Sequence, residues 1–471
     1  MEKIKKISEN IWEIPKEGNM KVSGKIFASD KLIEKIRKDK TLEQVKNVAS
    51  LPGIVEYSLA MPDAHQGYGM CVGGVAAFDL KTGIVSPGMT GYDINCGVRL
   101  LSSDLNKDEF MKKRKEVTHQ LKRDVPSGVG MKSDIRLDNK SINEVLEWGV
   151  SWAVGKGYGV EEDIKNCEDN GCIEGANADK VSTKARGRGM NQLGSLGAGN
   201  HFLEVQEIEE IYDEKTAKVF GLKRGKICVL IHSGSRGLGH QTASDYIKKC
   251  EEEYGIKHLP DRELAYAPID SDLGRDYLSA MRAAANFGFA NRHLIMCKTR
   301  GVFKKYFNEN LKLVYDVAHN IIKFEEFNIN GKKKILAVHR KGATRSFGPG
   351  RGELPKKYRQ TGQPIFIPGS MGTYSYVLCG TEKARAVSFA STAHGAGRVL
   401  SRTFAKNNIS IEKLKKELND KDVYVEGGSF AGLIEEAPEA YKDVNEVVKV
   451  SHELGIGNLV ARLKPLAVIK G

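Results

Sequence analysis

No apolar run in the 471 residues approaches the roughly 18 that would suggest a membrane-spanning helix. The first residues, MEKIKKISENIWEIPKEG, mix both signs of charge and lack an apolar centre, so they do not read as a secretion signal. The chain is therefore expected in the cytoplasm, with no membrane partner. Cysteine is sparse: eight scattered thiols exclude a secreted disulfide scaffold. Cys228, Cys297 and Cys379 sit in apolar stretches and read as core packing. Cys167 and Cys172 lie five apart in a polar loop, but no second pair accompanies them to complete a zinc site. There is no repeat at a fixed period and no low-complexity linker. With 40% hydrophobic and 28% charged residues, disorder is excluded as the default.

A formal net charge of +13 suggests a polyanionic partner. The 50 glycines cluster in short loops directly after apolar runs, as in GGVAAF leading to SPGMTGYDINCGVRLL and in ICVLIHSGSRGLG. Such loops let backbone amides approach a ligand closely. Helical spacing is clearest over Gly274–Phe307 and Ile411–Leu418. The stretch 107–184 is polar and poor in strand signals, and is expected to form peripheral helices and loops. Nothing marks a boundary, so the expected fold is a single mixed α+β domain over 1–471.

The residues that carry chemistry fall at the ends of apolar segments. Asp93 and Cys96 stand three apart in GYDINCGVR. A carboxylate and a thiolate together suit a transition metal better than Mg or Ca. His201, His232 and His319 each border an apolar stretch. If those strands share a sheet, their ends bring together one thiolate, one carboxylate and three imidazoles, enough for two metals bridged by sulfur. Such pairs clamp the oxygens of an in-line phosphoryl displacement. In ASTAHGAGRVLSR, the turn Gly395, Ala396, Gly397 leaves the His394 imidazole unshielded and offers amides to phosphate. That imidazole suits a general base or a nucleophile. Arg398 and Arg402, four apart, are expected on one face of a following helix. Further cations, Arg186, Arg188, Arg236, Arg340, Lys341 and Arg345, share these Gly loops and suggest a phosphate-lined groove. His339 opens one of them and reads equally as a groove residue or a core histidine. Asp63, with His65 two residues on, could orient or deprotonate an attacking hydroxyl. Asn200, Glu204 and Ser370 suit a nucleoside pocket, a buried carboxylate being able to accept the N–H donors of guanine.

Together PDAHQGYG, GYDINCGVR, GSLGAGNHFLE, HSGSRGLGHQ, VAHN, VHRKGATR, PGSMGT, AHGAGR and the final VIKG resemble, in order, the RtcB family of RNA-splicing ligases. The resemblance covers most of the chain from about residue 61. It implies an RtcB-like fold, with strand ends and Gly loops converging on a dinuclear site. Asp93, Cys96, His201, His232 and His319 match ligands for two Mn²⁺, with Cys96 bridging. His394 matches the nucleophile that takes GMP from GTP. Asn200, Glu204, Ser370, Tyr441 and Lys470 match the guanosine and phosphate pocket. Arg188, Arg236, Lys341, Arg398 and Arg402 match a basic RNA groove, and Asp63 a position near the incoming 5′-hydroxyl. The implied reaction joins 2′,3′-cyclic-phosphate or 3′-phosphate RNA ends to 5′-hydroxyl ends. RNA and GTP are the expected partners, with an activating protein as a further candidate. The rival reading is a dinuclear metallo-phosphodiesterase with water as acceptor. A nucleophilic histidine must be neutral, so activity is expected to fall below about pH 7.

Overall fold

The computed structural model describes residues 4–471; the first three residues of the N-terminal segment lie outside the described residues. Two large sheets organise the chain. The seven-stranded sheet runs Lys5–Ser8, Ile11–Ile14, Ser23–Phe27, Ile54–His65, Val72–Asp79, Lys332–Lys341 and Asn320–Ile329. The other runs Lys312–Ala318, Gly97–Asn106, Lys226–Ser233, Phe202–Ile211, Asn458–Lys470, Ser375–Cys379 and Pro364–Ile367, with Tyr424–Glu426 paired alongside Asn458–Lys470.

Alternation along these strands sorts side chains to two sides. Val98, Leu100, Cys228 and Leu230 of one sheet share an apolar cluster with Val75, Ala77, Leu336 and Val338 of the other. Their sequence neighbours Leu101, Val229, Ile231, Ala76, Phe78 and Ala337 join a second cluster containing Phe110, Leu146, Leu238 and Phe287, which come from helices. Its backbone is the helix Asp272–Phe307, which starts two residues earlier than the periodicity predicts and ends where it predicts. Ser271 caps it by accepting from Gly274 N at 3.0 Å, and Asn308 ends it in the left-handed region. Among the described residues no helix is long and apolar enough to cross a membrane.

Two expectations need correction, and a third, left open between two readings, is decided. The 107–184 stretch is helical, but it is not all peripheral. Glu168 is buried against Lys323 (2.8 Å) and Arg345 (3.5 Å), and Cys167 is buried, taking an N–H from Arg99 at 3.2 Å. Cys172 instead donates to Glu147 O, so the two thiols serve different neighbours and do not converge on a common ligand. Secondly, Arg340 and Arg345 do not line a groove. Arg340 is fully buried and grips Glu325 through two bonds of 2.9 and 2.7 Å, while Arg345 pairs with Glu168 and Asp169. Thirdly, His339 is a core histidine, accepting from Ser86 N at 3.2 Å and packed edge-on against Phe78. Cys228 and Cys379 are buried as expected, and Cys297 is half-buried against the core.

The Arg340–Glu325 pair gives a stability prediction. Glu325→Ala strands a guanidinium away from water and is expected to cost about 3–5 kcal/mol in denaturant unfolding. The double change Glu325→Ala with Arg340→Leu should recover most of that loss.

Candidate metal centre and active site

Strand register builds the site. The strands Lys312–Ala318, Gly97–Asn106 and Lys226–Ser233 are neighbours, with Ala318 opposite Gly97 and Val98 opposite His232. Cys96 and His319 each lie one residue beyond a paired end, and His319 N donates to Cys96 O at 2.9 Å. His201 precedes Phe202, which pairs with His232 in the next strand. One edge of one sheet thus collects the four residues, as the expectation of shared strands requires.

Cys96 Sγ lies 3.2 Å from His232 Nε2 and 3.4 Å from His201 Nε2. His232 Nε2 is 3.2 Å from His319 Nε2, and His201 Nε2 is 2.8 Å from Asp93 Oδ2. The donors form two triads, Cys96–His232–His319 and Asp93–Cys96–His201, each with its atoms within 4.8 Å of one another. Cys96 belongs to both.

The donor chemistry fits cations. His201 Nδ1 sits 3.0 Å from Leu196 O, which can only accept; with the proton there the Nε2 lone pair is free to take a cation held between Asp93 and Cys96, and without a cation Nε2 can instead donate to Asp93 Oδ2. Burial holds His232 and His319 well below the ordinary histidine range, and both remain neutral ligands. Burial, then the Asp93 carboxylate, pushes the Cys96 thiol up, so its thiolate requires a cation between the donors. Burial would raise Asp93 too, but His201 and Arg236 outweigh it and keep it ionised, with Oδ1 buried and unpartnered. Lone pairs turned toward one another at hydrogen-bond distance are repulsive until positive charge lies between them.

Several supporting residues escaped the sequence reading. Arg292, fully buried, donates to Asn95 O (2.7 Å) and Ser233 O (2.9 Å), and pairs with Asp316 at 2.6 Å. One guanidinium therefore ties the residue before Cys96, the residue after His232 and the strand leading to His319. Gly97 is required beneath it, since a Cβ there would stand 2.9 Å from the guanidinium. A charge inside the apolar run AAANFGFANRHLIMC was the available signal. Asn320 donates to Asp93 O at 3.0 Å and accepts from Gly342 N at 2.8 Å, fixing the same loop.

His394 follows the short strand Ser391–Ala393. Asp63 Oδ2 accepts from His394 Nδ1 (2.6 Å), His394 N (3.0 Å) and Gly395 N (3.2 Å). The Nδ1 proton is thereby fixed and Nε2 is left with its lone pair. The ring lies 4.8 Å, centroid to centroid, from that of His319. Burial would raise the Asp63 carboxyl, but His394 and Lys442 overcome it and hold it below the usual carboxylate range. Lys442, also missed from sequence, braces this segment by donating to Pro62 O (3.3 Å) and Ala64 O. His65 turns its Nδ1 to Asp63 O at 3.0 Å. Asp63 is fully buried, so it orients the imidazole and cannot itself receive a proton from an incoming hydroxyl, correcting that expectation. Gly397, at φ +76°, is obligatory because a Cβ would meet Asp63 O at 2.1 Å.

A cavity of about 670 Å³ opens over His232, His319 and His394. Asn200, Ser370, Ala396, Arg398, Tyr441 and Lys470 lie on its walls. Glu204 is buried behind the lining, accepting from Gln206 at 2.7 Å; burial raises its carboxyl to about 7. Arg398 and Arg402 do not share a helix face, because Ser401 caps the helix Arg402–Asn408 and leaves Arg398 in the preceding loop. Hence the Gly395–Gly397 amides are not at a helix start. Both arginines turn instead to Glu436, at 3.2 and 3.6 Å, and Lys470 reaches that carboxylate at 3.6 Å. Glu436, which the sequence reading missed, also accepts from the Tyr441 hydroxyl. Lys341 is buried and donates to Gly88 O at 2.8 Å and to Tyr68 O. Arg188 is exposed, and Arg236 opens the helix Arg236–Tyr254 with its guanidinium 3.3 Å from His201 Nδ1.

Fold and site define a candidate dinuclear metal centre beneath an aspartate-oriented histidine. The family model described as tRNA-splicing ligase RtcB matches residues 44–471. A curated relative named tRNA-splicing ligase RtcB, from Thermococcus kodakarensis, is 51% identical over 477 residues, covering 99% of each chain. One of the same name from Nanoarchaeum equitans is 51% identical over 475 residues, covering all of this chain and 99% of its own. An RNA-splicing ligase RtcB from Mycobacterium tuberculosis is 50% identical over 434 residues, 91% of this chain and all of its own. The chain belongs to the RtcB family of ligases.

Proposed function

We propose that the chain is a GTP- and Mn-dependent RNA ligase that joins 2′,3′-cyclic-phosphate or 3′-phosphate ends to 5′-hydroxyl ends, in tRNA splicing, RNA repair or both. One observation carries the reading: an imidazole with a fixed tautomer, its ring 4.8 Å from that of a residue in a thiol-sharing pair of donor triads. A hydroxyl cannot displace oxide from a 3′-phosphate, so the phosphate needs a better leaving group. His394 Nε2 attacks the α-phosphorus of GTP and pyrophosphate leaves. The RNA 3′-phosphate, formed from a cyclic end by hydrolysis where necessary, takes GMP from the histidine. The 5′-hydroxyl then attacks the 3′-phosphorus, and GMP departs with the bonding electrons.

Two Mn²⁺, one held by Asp93, Cys96 and His201 and one by Cys96, His232 and His319, would offset phosphate charge during displacement. Asp63 keeps the His394 proton on Nδ1 throughout. Lys470, Arg398 and Tyr441, clustered on Glu436, face the triphosphate side, and Asn200 and Ser370 the guanosine, with Glu204 set behind them to accept from the base. Gly395, Ala396 and Gly397 cradle phosphate oxygens, Arg188, Arg236 and Arg402 serve the RNA, and the buried Lys341 braces the backbone at Tyr68 and Gly88. We read 1–471 as one catalytic domain acting in the cytoplasm.

Glu204 makes a pH prediction. With its carboxyl raised to about 7, the ionised acceptor for guanine is progressively lost below that pH. The kcat/KM for GTP should therefore fall toward tenfold per unit or more steeply below about pH 7, and Glu204→Gln should leave only the part of that limb owed to the attacking imidazole.

The decisive experiment is incubation with α-labelled GTP and Mn²⁺, followed by RNA carrying a 3′-phosphate and a 5′-hydroxyl. The expected result is an acid-labile protein label that passes onto the RNA 3′-phosphate and is released as GMP when the ends join, and that is lost in His394→Ala. A wild-type protein that opens cyclic phosphates but never takes label would overturn ligation in favour of the phosphodiesterase.

A further inference from the structure

The cavity has a flank that none of the assigned contacts uses. Tyr68, in the turn after the strand Ile54–His65, lines the mouth with 68% of its surface exposed. It is backed by other rings. Tyr68 packs edge-on against Tyr92 (centroids 6.2 Å, interplanar 88°), and Tyr92 stacks on His240 (4.9 Å, 28°). The Tyr92 ring and the Tyr68 backbone are each held by a hydrogen bond. The Tyr92 hydroxyl donates to Glu263 Oε2 at 2.7 Å, and the buried Lys341 ammonium holds the Tyr68 carbonyl. Tyr92 is also the residue before Asp93, so the platform adjoins the donor triads.

Cations continue the strip. His240 stands on the helix that Arg236 opens. Arg188 bonds Gln241 on that helix at 3.1 Å, and a Cβ on Gly237 would stand 3.0 Å from its Nε. Exposed aromatic faces beside arginines suit single-stranded nucleic acid, whose phosphates pair with the cations while its bases stack. Stacking tolerates every base, as a ligase of varied ends requires. An isolated exposed tyrosine would mean little; this one has its backbone held by a buried lysine and its ring backed by Tyr92, itself stacked on His240.

Resting on the ligase reading, we propose that Tyr68, supported by Tyr92 and His240, is a stacking platform for a nucleobase at an RNA end being joined. The test is direct binding to the full chain, by fluorescence anisotropy, of single-stranded oligoribonucleotides ending in a 5′-hydroxyl or a 3′-phosphate. Each is compared with a version whose end nucleotide is abasic. Tyr68→Ala is expected to weaken binding of at least one intact end about tenfold, and Tyr68→Phe to stay within about twofold of wild type. Removing the base should cost the wild type a similar factor and cost Tyr68→Ala almost nothing, since the two changes delete one contact. Unchanged affinity in Tyr68→Ala for both ends, or penalties that multiply in full, would overturn the proposal. Because the binding needs no GTP, a wild type that never takes GMP label would count against ligation without touching these ratios.

Discussion

Replacing Cys96 with alanine should reduce ligation by about 10³-fold or more while leaving the fold intact. The sulfur is the one atom shared by both donor triads, lying 3.2 and 3.4 Å from histidine nitrogens on either side. Removing it takes a ligand from each proposed ion and the bridge between them, a loss of several kcal/mol of charge stabilisation in the displacement. Metal content provides an independent readout: fewer than two Mn²⁺ per chain after dialysis, against two for the wild type. Thermal unfolding without metal should change little, because the thiol makes no structural bond except to the other donors. Cys96→Ser should resemble alanine, since a hydroxyl is a poor ligand for a metal that prefers thiolate and imidazole.

The second large effect belongs to Asp63→Asn. Its carboxylate accepts three N–H bonds from His394 and Gly395, and the shortest, 2.6 Å, sets the imidazole tautomer. An amide can turn its NH₂ toward Nδ1, which moves the ring proton to Nε2, the atom that must attack. Protein labelling by GTP should slow by about 10²–10⁴-fold, the range in which a buried orienting carboxylate acts. The KM for GTP should move far less than kcat, since Asp63 touches no part of the nucleotide pocket. Asp63 is held below the ordinary carboxylate range, so its charge is lost only in acid, as pH falls through that depressed value. An acid limb near neutrality must therefore come from other groups, Glu204 being one beside the requirement that the attacking imidazole be neutral. Should Asp63→Asn label at the wild-type rate, orientation by the carboxylate is wrong.

What could be read from the chain was whatever depends on strand ends. His232 and Cys96 stand beside apolar runs of alternating residues, and a run buried on both faces must deliver its last residue to a sheet edge. The tautomer-setting role of Asp63 was hidden because its partner lies 331 residues away. The arginines of HRKGATR misled for the same reason. Glycine context marks a loop, but it does not reveal that Glu325 and Glu168 wait to bury Arg340 and Arg345. Glu436, which gathers Arg398, Arg402, Tyr441 and Lys470, sits in a stretch with no motif of its own. Arg292 did carry a local signal, a charge in an apolar helix, yet nothing nearby in sequence named the loops it ties.

The central claim is that His394 carries the nucleotide. Tandem mass spectrometry of protein incubated with GTP and Mn²⁺, digested under neutral or alkaline conditions to preserve a phosphoramidate, tests it most directly. GMP is expected on the peptide containing AHGAGR, with the modification on His394. A nucleotide found on Lys341, Lys442 or Lys470, or on no residue of a protein that still joins RNA ends, would contradict it.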